Sequence, residues 1–131
     1  MNIDELLENF EYLTDWEDKY KYIIELGSNL PALDKKYYTD EYKVNGCTSQ
    51  VWLICEEKDG KLFFYGTSDA VIVKGLVFLI LQIFSGEEKE ILKDTDMDIV
   101  YELGLAEVIT PNRQSGVIGM IKKIKEYALK A

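Results

Sequence analysis

Apolar residues recur three and four positions apart at Ile3, Leu6, Leu7 and Phe10, with Glu5, Glu8, Asn9 and Glu11 between them. That spacing predicts a short amphipathic helix near the start of the chain. Thr14 followed by Glu17 has the form of a capping box, and Trp16, Tyr20, Ile23 and Ile24 mark a second helix that Gly27 and Pro31 stop. From Pro31 to Lys43 the periodicity lapses into tyrosines and charges, a stretch expected to be either a mobile loop or a docking surface.

The period then changes to two. Gln50 to Glu57 is rich in β-branched, aromatic and apolar residues, Lys58-Asp59-Gly60 makes a turn, and Lys61 to Thr67 alternates again, which predicts a β-hairpin. A third, shorter strand is expected to end at Val44, leaving Asn45-Gly46-Cys47-Thr48 in the connection into the hairpin. Ser68-Asp69 reads as an N-cap for the run Val71 to Phe84, which is apolar on nearly every face and so must pack on several sides. This run falls short of the roughly 18 to 20 residues a membrane span needs and contains Lys74 and Gly75, so it is a core helix. Ser85 to Glu88 repeats the capping-box pattern ahead of a short helix through Leu92, and Asp96 with Gly104 brackets another helical piece. Thr110-Pro111 opens a final helix carrying Val117, Met120, Ile121, Ile124 and Ala128 at helical spacing. With no repeat or linker to divide them, the 131 residues are expected to form one domain, 1–131.

Composition narrows the chemistry. A net charge of −9 with scattered lysines argues against nucleic acid and anionic membranes as partners. The two cysteines and an acidic amino terminus, Met1-Asn2-Ile3-Asp4-Glu5, point to a reducing, cytoplasmic setting. The chain has no histidine, which removes Ser-His and Cys-His hydrolases and most catalytic zinc sites. Asp94, Asp96 and Asp98 open like a calcium loop, but Ile99 and Leu105 stand where Gly and Glu are required, and no metal site is expected.

Cys47 is the residue best placed for chemistry. Its neighbours are polar and turn-forming: Gly46 admits close approach, and Thr48, Ser49 and Gln50 offer donors to a thiolate. A lone cysteine can equally be a small buried hydrophobe, and exposure with local charge decides between the two. Cys55, inside Val51-Trp52-Leu53-Ile54-Cys55, reads as one more core residue of a strand. Arg113 sits in the first turn of the last helix, where a cation opposes the helix dipole, and Lys74 interrupts an apolar run.

The stretch Val44-Asn45-Gly46-Cys47-Thr48-Ser49-Gln50-Val51-Trp52 closely resembles the active-cysteine motif of the SufE family, the sulfur acceptors of iron-sulfur cluster biogenesis. Three further segments fall in that family's order: Trp16 to Gly27, Ser68 to Leu76, and Thr110-Pro111-Asn112-Arg113. Asn45 before the Gly-Cys pair, and Ser115 where relatives commonly carry an amide, depart from the pattern. The resemblance implies an α+β fold, a small antiparallel three-stranded sheet packed against helices and shared with IscU-like scaffolds. It implies Cys47 as the sulfur acceptor, with Asp69 and Arg113 at polar positions near the site or partner surface; Gly46, Ser49, Gln50 and Lys74, singled out from the residues themselves, are expected in supporting or partner-contact roles beside them. The partner would be a PLP-dependent cysteine desulfurase of the SufS or CsdA kind. The PLP belongs to that partner and this chain has no cofactor of its own. A downstream iron-sulfur scaffold would take the sulfur, and the protein would be a monomer or weak homodimer.

The implied mechanism is transpersulfuration, in which the protein activates its partner and has little turnover alone. Exchange of this kind needs only a thiolate and access, and a free thiol pKa of about 8.5 supplies some thiolate near neutrality. Two other readings stand beside it. A cluster scaffold of the IscU type would need about four soft or imidazole ligands, more than two cysteines supply. A non-catalytic interaction domain would leave its partner's activity unchanged by Cys47→Ser.

Overall fold

The computed structural model describes residues 3–45, 49–95 and 111–130, with the side chains of 3, 4, 6, 7 and 111–113 outside that description. Two helices, α1 (Ile3–Tyr12) and α2 (Trp16–Gly27), lead through a one-turn 3-10 helix (Lys35–Tyr37) to the hairpin strands β1 (Val51–Lys58) and β2 (Lys61–Ser68). Then come α3 (Val71–Phe84), the two-residue strand β3 (Glu87–Glu88), α4 (Lys89–Lys93) and α5 (Pro111–Lys130). The sheet is antiparallel in the order β1-β2-β3, so the fold is α+β as expected.

The hairpin closes at Lys58↔Lys61 through Asp59 (φ 56°) and Gly60 (φ 79°). Two positive φ values define the two-residue turn whose twist matches the strands, and Asp-Gly is a pair that tolerates it. Val51 and Leu53 on β1, with Leu62 and Phe64 on β2, turn toward the core. Helix α3 crosses that face, α2 packs on α3, and α5 closes over α3, α4 and β1. This enclosure explains why α3 is apolar almost all round: nine of its residues are buried, among them Leu76, Val77, Leu79 and Ile80. Each large one contributes roughly 1.5–3 kcal/mol. Gly75 makes the α2–α3 approach possible, because a Cβ there would collide with the backbone of Ile23. Among the described residues, no helix is long and apolar enough to cross a membrane.

Several expectations shift. The cap of α2 is Asp15, which accepts from the Asp18 N–H at 2.8 Å, rather than Thr14. The strand expected to end at Val44 is a single bridge, Lys43↔Trp52, and the sheet's third strand is Glu87–Glu88. Ser85 does not cap α4. Its hydroxyl accepts from the Phe64 N–H (3.0 Å) while the Gly86 N–H donates to the Leu62 carbonyl (2.7 Å), so the segment extends the sheet. Part of the tyrosine-rich stretch covers the sheet: Tyr38 stacks on Trp52 with ring centroids 4.4 Å apart and planes 6° from parallel. The piece bracketed by Asp96 and Gly104 and the cap at Thr110 lie outside the described residues, whereas Pro111 does begin α5.

Candidate functional site

Gly46, Cys47 and Thr48 lie outside the described residues, and so does the side chain of Arg113, whose backbone is in the first turn of α5. What the structure defines are the two anchors on either side of Gly46–Thr48. On the upstream side, the Val44 N–H donates to the Val51 carbonyl (2.8 Å) and the Leu53 N–H to the Tyr42 carbonyl (2.9 Å). Val44 is 2% exposed, so a core side chain holds this end in place. Asn45 then passes so close to α5 that a side chain at Gly119 would collide with its carbonyl oxygen.

On the downstream side, four hydrogen bonds build the junction between Gln50 and the β2–α3 corner. The Gln50 N–H donates to Asp69 Oδ1 (3.0 Å) and the Asp69 N–H donates back to the Gln50 carbonyl (3.2 Å). The Ser68 hydroxyl donates to the same carbonyl (2.7 Å) and accepts from the Ala70 N–H (3.2 Å). Asp69 therefore does not cap α3, which begins after Ala70 with no side-chain cap. Its carboxylate serves the segment after Cys47 through a charge-assisted hydrogen bond, the stronger kind. Val44 and Val51 are thus joined by a hydrogen bond, Asn45 passes close to α5 at Gly119, and Gln50 is tied to the β2–α3 corner.

Of the residues singled out from sequence, Gln50 and Asp69 meet directly. Ser49 is half-buried beside them in the chain. Lys74 lies apart from this pair, on α3, with its Cβ against Gly27 and no ion-pair partner among the described residues. Three residues were missed. Ser68 was taken for a helix cap and holds Gln50 instead. Asn45 was noted only as a departure. Gly119 had a legible signal, since a glycine within a helix costs about 1 kcal/mol against alanine and calls for a packing reason.

Cys55 is a different kind of thiol. It is half-buried against the core, opposite Phe64, where burial first and the Glu57 carboxylate second push its pKa from 9.0 to about 11. At neutral pH it stays protonated, which makes it a poor nucleophile. The neighbouring Tyr127 donates its hydroxyl to the Leu53 carbonyl, tying α5 to β1, and burial, with nearby Cys55, Tyr42, Glu41 and Glu126, raises its pKa as well.

Comparison with known proteins gives the family and the fold. Residues 4–128 match the family model described as SufE, Fe-S metabolism associated domain. An uncharacterized SufE-like protein of Rhizobium meliloti strain 1021 is 43% identical, covering 97% of this chain and 94% of that one. A second, from Rhizobium etli, is 39% identical over 97% and 89%. The solution structure of a hypothetical protein from Thermus thermophilus superposes with a TM-score of 0.77 at 21% identity, covering 98% of this chain and 94% of that chain, which shows a shared fold.

Proposed function

This chain belongs to the SufE family, and on that footing we propose that it accepts persulfide sulfur on Cys47 from a PLP-dependent cysteine desulfurase and passes it on to iron-sulfur cluster assembly. The observation that carries the reading is the anchoring of Val44 and Gln50, the described residues on either side of the cysteine motif, in a chain whose other thiol is held protonated.

The step balances without an added oxidant or reductant. The Cys47 thiolate attacks the terminal sulfur of the partner's cysteine persulfide, a new sulfur–sulfur bond forms on Cys47, the partner's sulfur–sulfur bond breaks, and its cysteine leaves as a thiolate. The proton of the persulfide stays with the transferred sulfur or exchanges with water. The protein's own contribution is presentation. Anchored flanks at Val44 and Gln50 lower the conformational entropy to be lost when the cysteine between them is presented to another protein's active site. Stimulation of the partner follows from removal of its persulfide.

The test is intact mass after incubation with the desulfurase and cysteine. Wild type and Cys55→Ser are expected to gain a reducible sulfur adduct and Cys47→Ser to gain none. An adduct that maps to Cys55, or none with any desulfurase, overturns the proposal in favour of an interaction domain.

A further inference from the structure

Charge is spread unevenly over this chain. Helix α5 carries five of the 15 basic residues and one of the 24 acidic ones, Glu126, so a basic helix closes over an otherwise acidic molecule. That helix is also the one Asn45 meets at Gly119, where a shallow recess is lined by Asn45, Gly119, Lys122, Lys123 and Glu126. Lys123 is committed within the chain: its ammonium donates to the Glu41 carbonyl (3.0 Å) and stands 5.4 Å from the centre of the Tyr127 ring. Lys122 is exposed and Lys125, three residues on, is half-buried. Neither has an ion pair among the described residues, although Glu126 stands at the i+4 position from Lys122. Lys21, Lys89 and Lys93, by contrast, each meet a carboxylate, at 3.4, 3.1 and 3.3 Å. One turn beyond Lys125, Leu129 is 65% exposed, an apolar side chain at the end of the lysine row.

An exposed lysine by itself needs only water, and it is the place of these two that points to a partner. Cys47 follows Asn45 by two positions, and two residues of chain span at most about 7 Å. Lys122 and Lys125 stand about 5 and 9 Å along the helix from Gly119. A stable protein interface covers roughly 800 Å2 on each side, a patch about 30 Å across, so a protein that reaches Cys47 reaches these lysines as well. We propose that the Lys122–Lys125 face of α5 docks an acidic patch on the sulfur donor, with Leu129 covered at its edge. The inference rests on the sulfur-acceptor reading and adds to it the sign and place of the contact. Under a neutral or basic surface the two ammonium groups would lose water without gaining a partner, whereas facing carboxylates pair them and speed the encounter. An acidic protein surface suits this face better than a nucleic acid, because the net charge of −9 repels a long phosphate backbone.

The test is the association rate of this protein with the PLP-dependent desulfurase that loads Cys47, followed by stopped-flow at low salt. Lys122→Glu with Lys125→Glu should slow association at least about tenfold, and the neutral pair Lys122→Gln with Lys125→Gln by about threefold. Because the neutral pair introduces no repulsion, a graded response separates lost attraction from a damaged helix. The control, Lys58→Glu with Lys61→Glu, makes the same change in net charge at the hairpin turn, at the far end of β1 from Val51, and should stay within about twofold of wild type. Raising the salt to about 300 mM should remove most of the difference between wild type and the α5 variants. Equal slowing by the hairpin pair, a wild-type rate in the α5 glutamate pair, or faster association in it would each overturn the docking face. In those cases a sulfur adduct that still forms on Cys47 leaves the sulfur-acceptor reading standing. A wild-type protein that gains no adduct from any desulfurase refutes that reading and this inference together.

Discussion

Replacing Asp69 with alanine tests whether the carboxylate truly holds the segment after Cys47. The substitution deletes the acceptor of the Gln50 N–H, a 3.0 Å hydrogen bond, and leaves the Ser68 hydroxyl and the residue 69 N–H still bonded to the Gln50 carbonyl. Hydrogen bonds to charged groups contribute roughly 1.5–3 kcal/mol, and the exposed position of this pair places it at the lower end, about 1.5 kcal/mol. Because the loss falls on a local opening rather than on global unfolding, it should appear as about tenfold faster hydrogen exchange of the Gln50 amide. Asp69→Asn keeps an acceptor oxygen without the charge and should show about a threefold change. The Val44 amide, bonded to Val51 on the far side and buried, serves as internal reference and should not move. Hydrogen exchange resolved by residue supplies the measurement. An unchanged Gln50 rate in Asp69→Ala, or equal acceleration at Gln50 and Val44, would refute the anchoring argument.

Other outcomes follow from the same geometry. In a Cys47→Ser background, Cys55 should react with iodoacetamide at about pH 8 on the order of a hundredfold more slowly in the folded protein than in the unfolded chain, as its raised pKa dictates; rates within tenfold of each other would contradict it. Raised pKa values at Cys55 and Tyr127 mean the native state holds protons that the unfolded chain releases. The Cys55 contribution to stability is therefore fully present below about pH 9 and declines as pH rises toward about 11, the Tyr127 contribution declines only above about pH 10, and urea midpoints of Cys55→Val should decline less steeply between pH 9 and 11. Gly75→Ala sets a helix-propensity gain of about 1 kcal/mol against overpacking of about 1–3 kcal/mol or more. Because the obstacle is the Ile23 backbone, a net loss of about 2 kcal/mol is expected, and a stabilised variant would disprove the close helix approach.

Elements with strong periodicity were legible from sequence because one force sets them. The run Val71–Phe84 is α3 to the residue, and Asp59-Gly60 fixed the hairpin register through backbone conformations that few other pairs adopt. Polar residues at element ends were harder. Thr14, Ser85 and Asp69 all carry capping chemistry, but a side-chain oxygen accepts from whichever N–H the tertiary fold delivers. For Ser85 and Asp69 that donor is Phe64 and Gln50, 21 and 19 residues away along the chain. The third strand was misplaced for a related reason, since Glu87–Glu88 has no strand pattern and pairs only because Gly86 and Ser85 dock on β2. At the candidate site the motif around Cys47 pointed to the neighbourhood of the Gln50–Asp69 pair, whereas the role of Gly119 depends on how α5 crosses Asn45. Local sequence carries no record of that crossing.

The Gln50 anchor is made entirely through main-chain groups on the Gln50 side, while its side chain is exposed and forms no hydrogen bond among the described residues. A position held in this way separates two tasks that most binding residues combine. A substitution at position 50 that keeps the N–H leaves these donors and acceptors in place, whereas proline removes the bond to Asp69. The exposed side chain of Gln50 is therefore left to face a partner while the main chain of the same residue holds the β2–α3 corner.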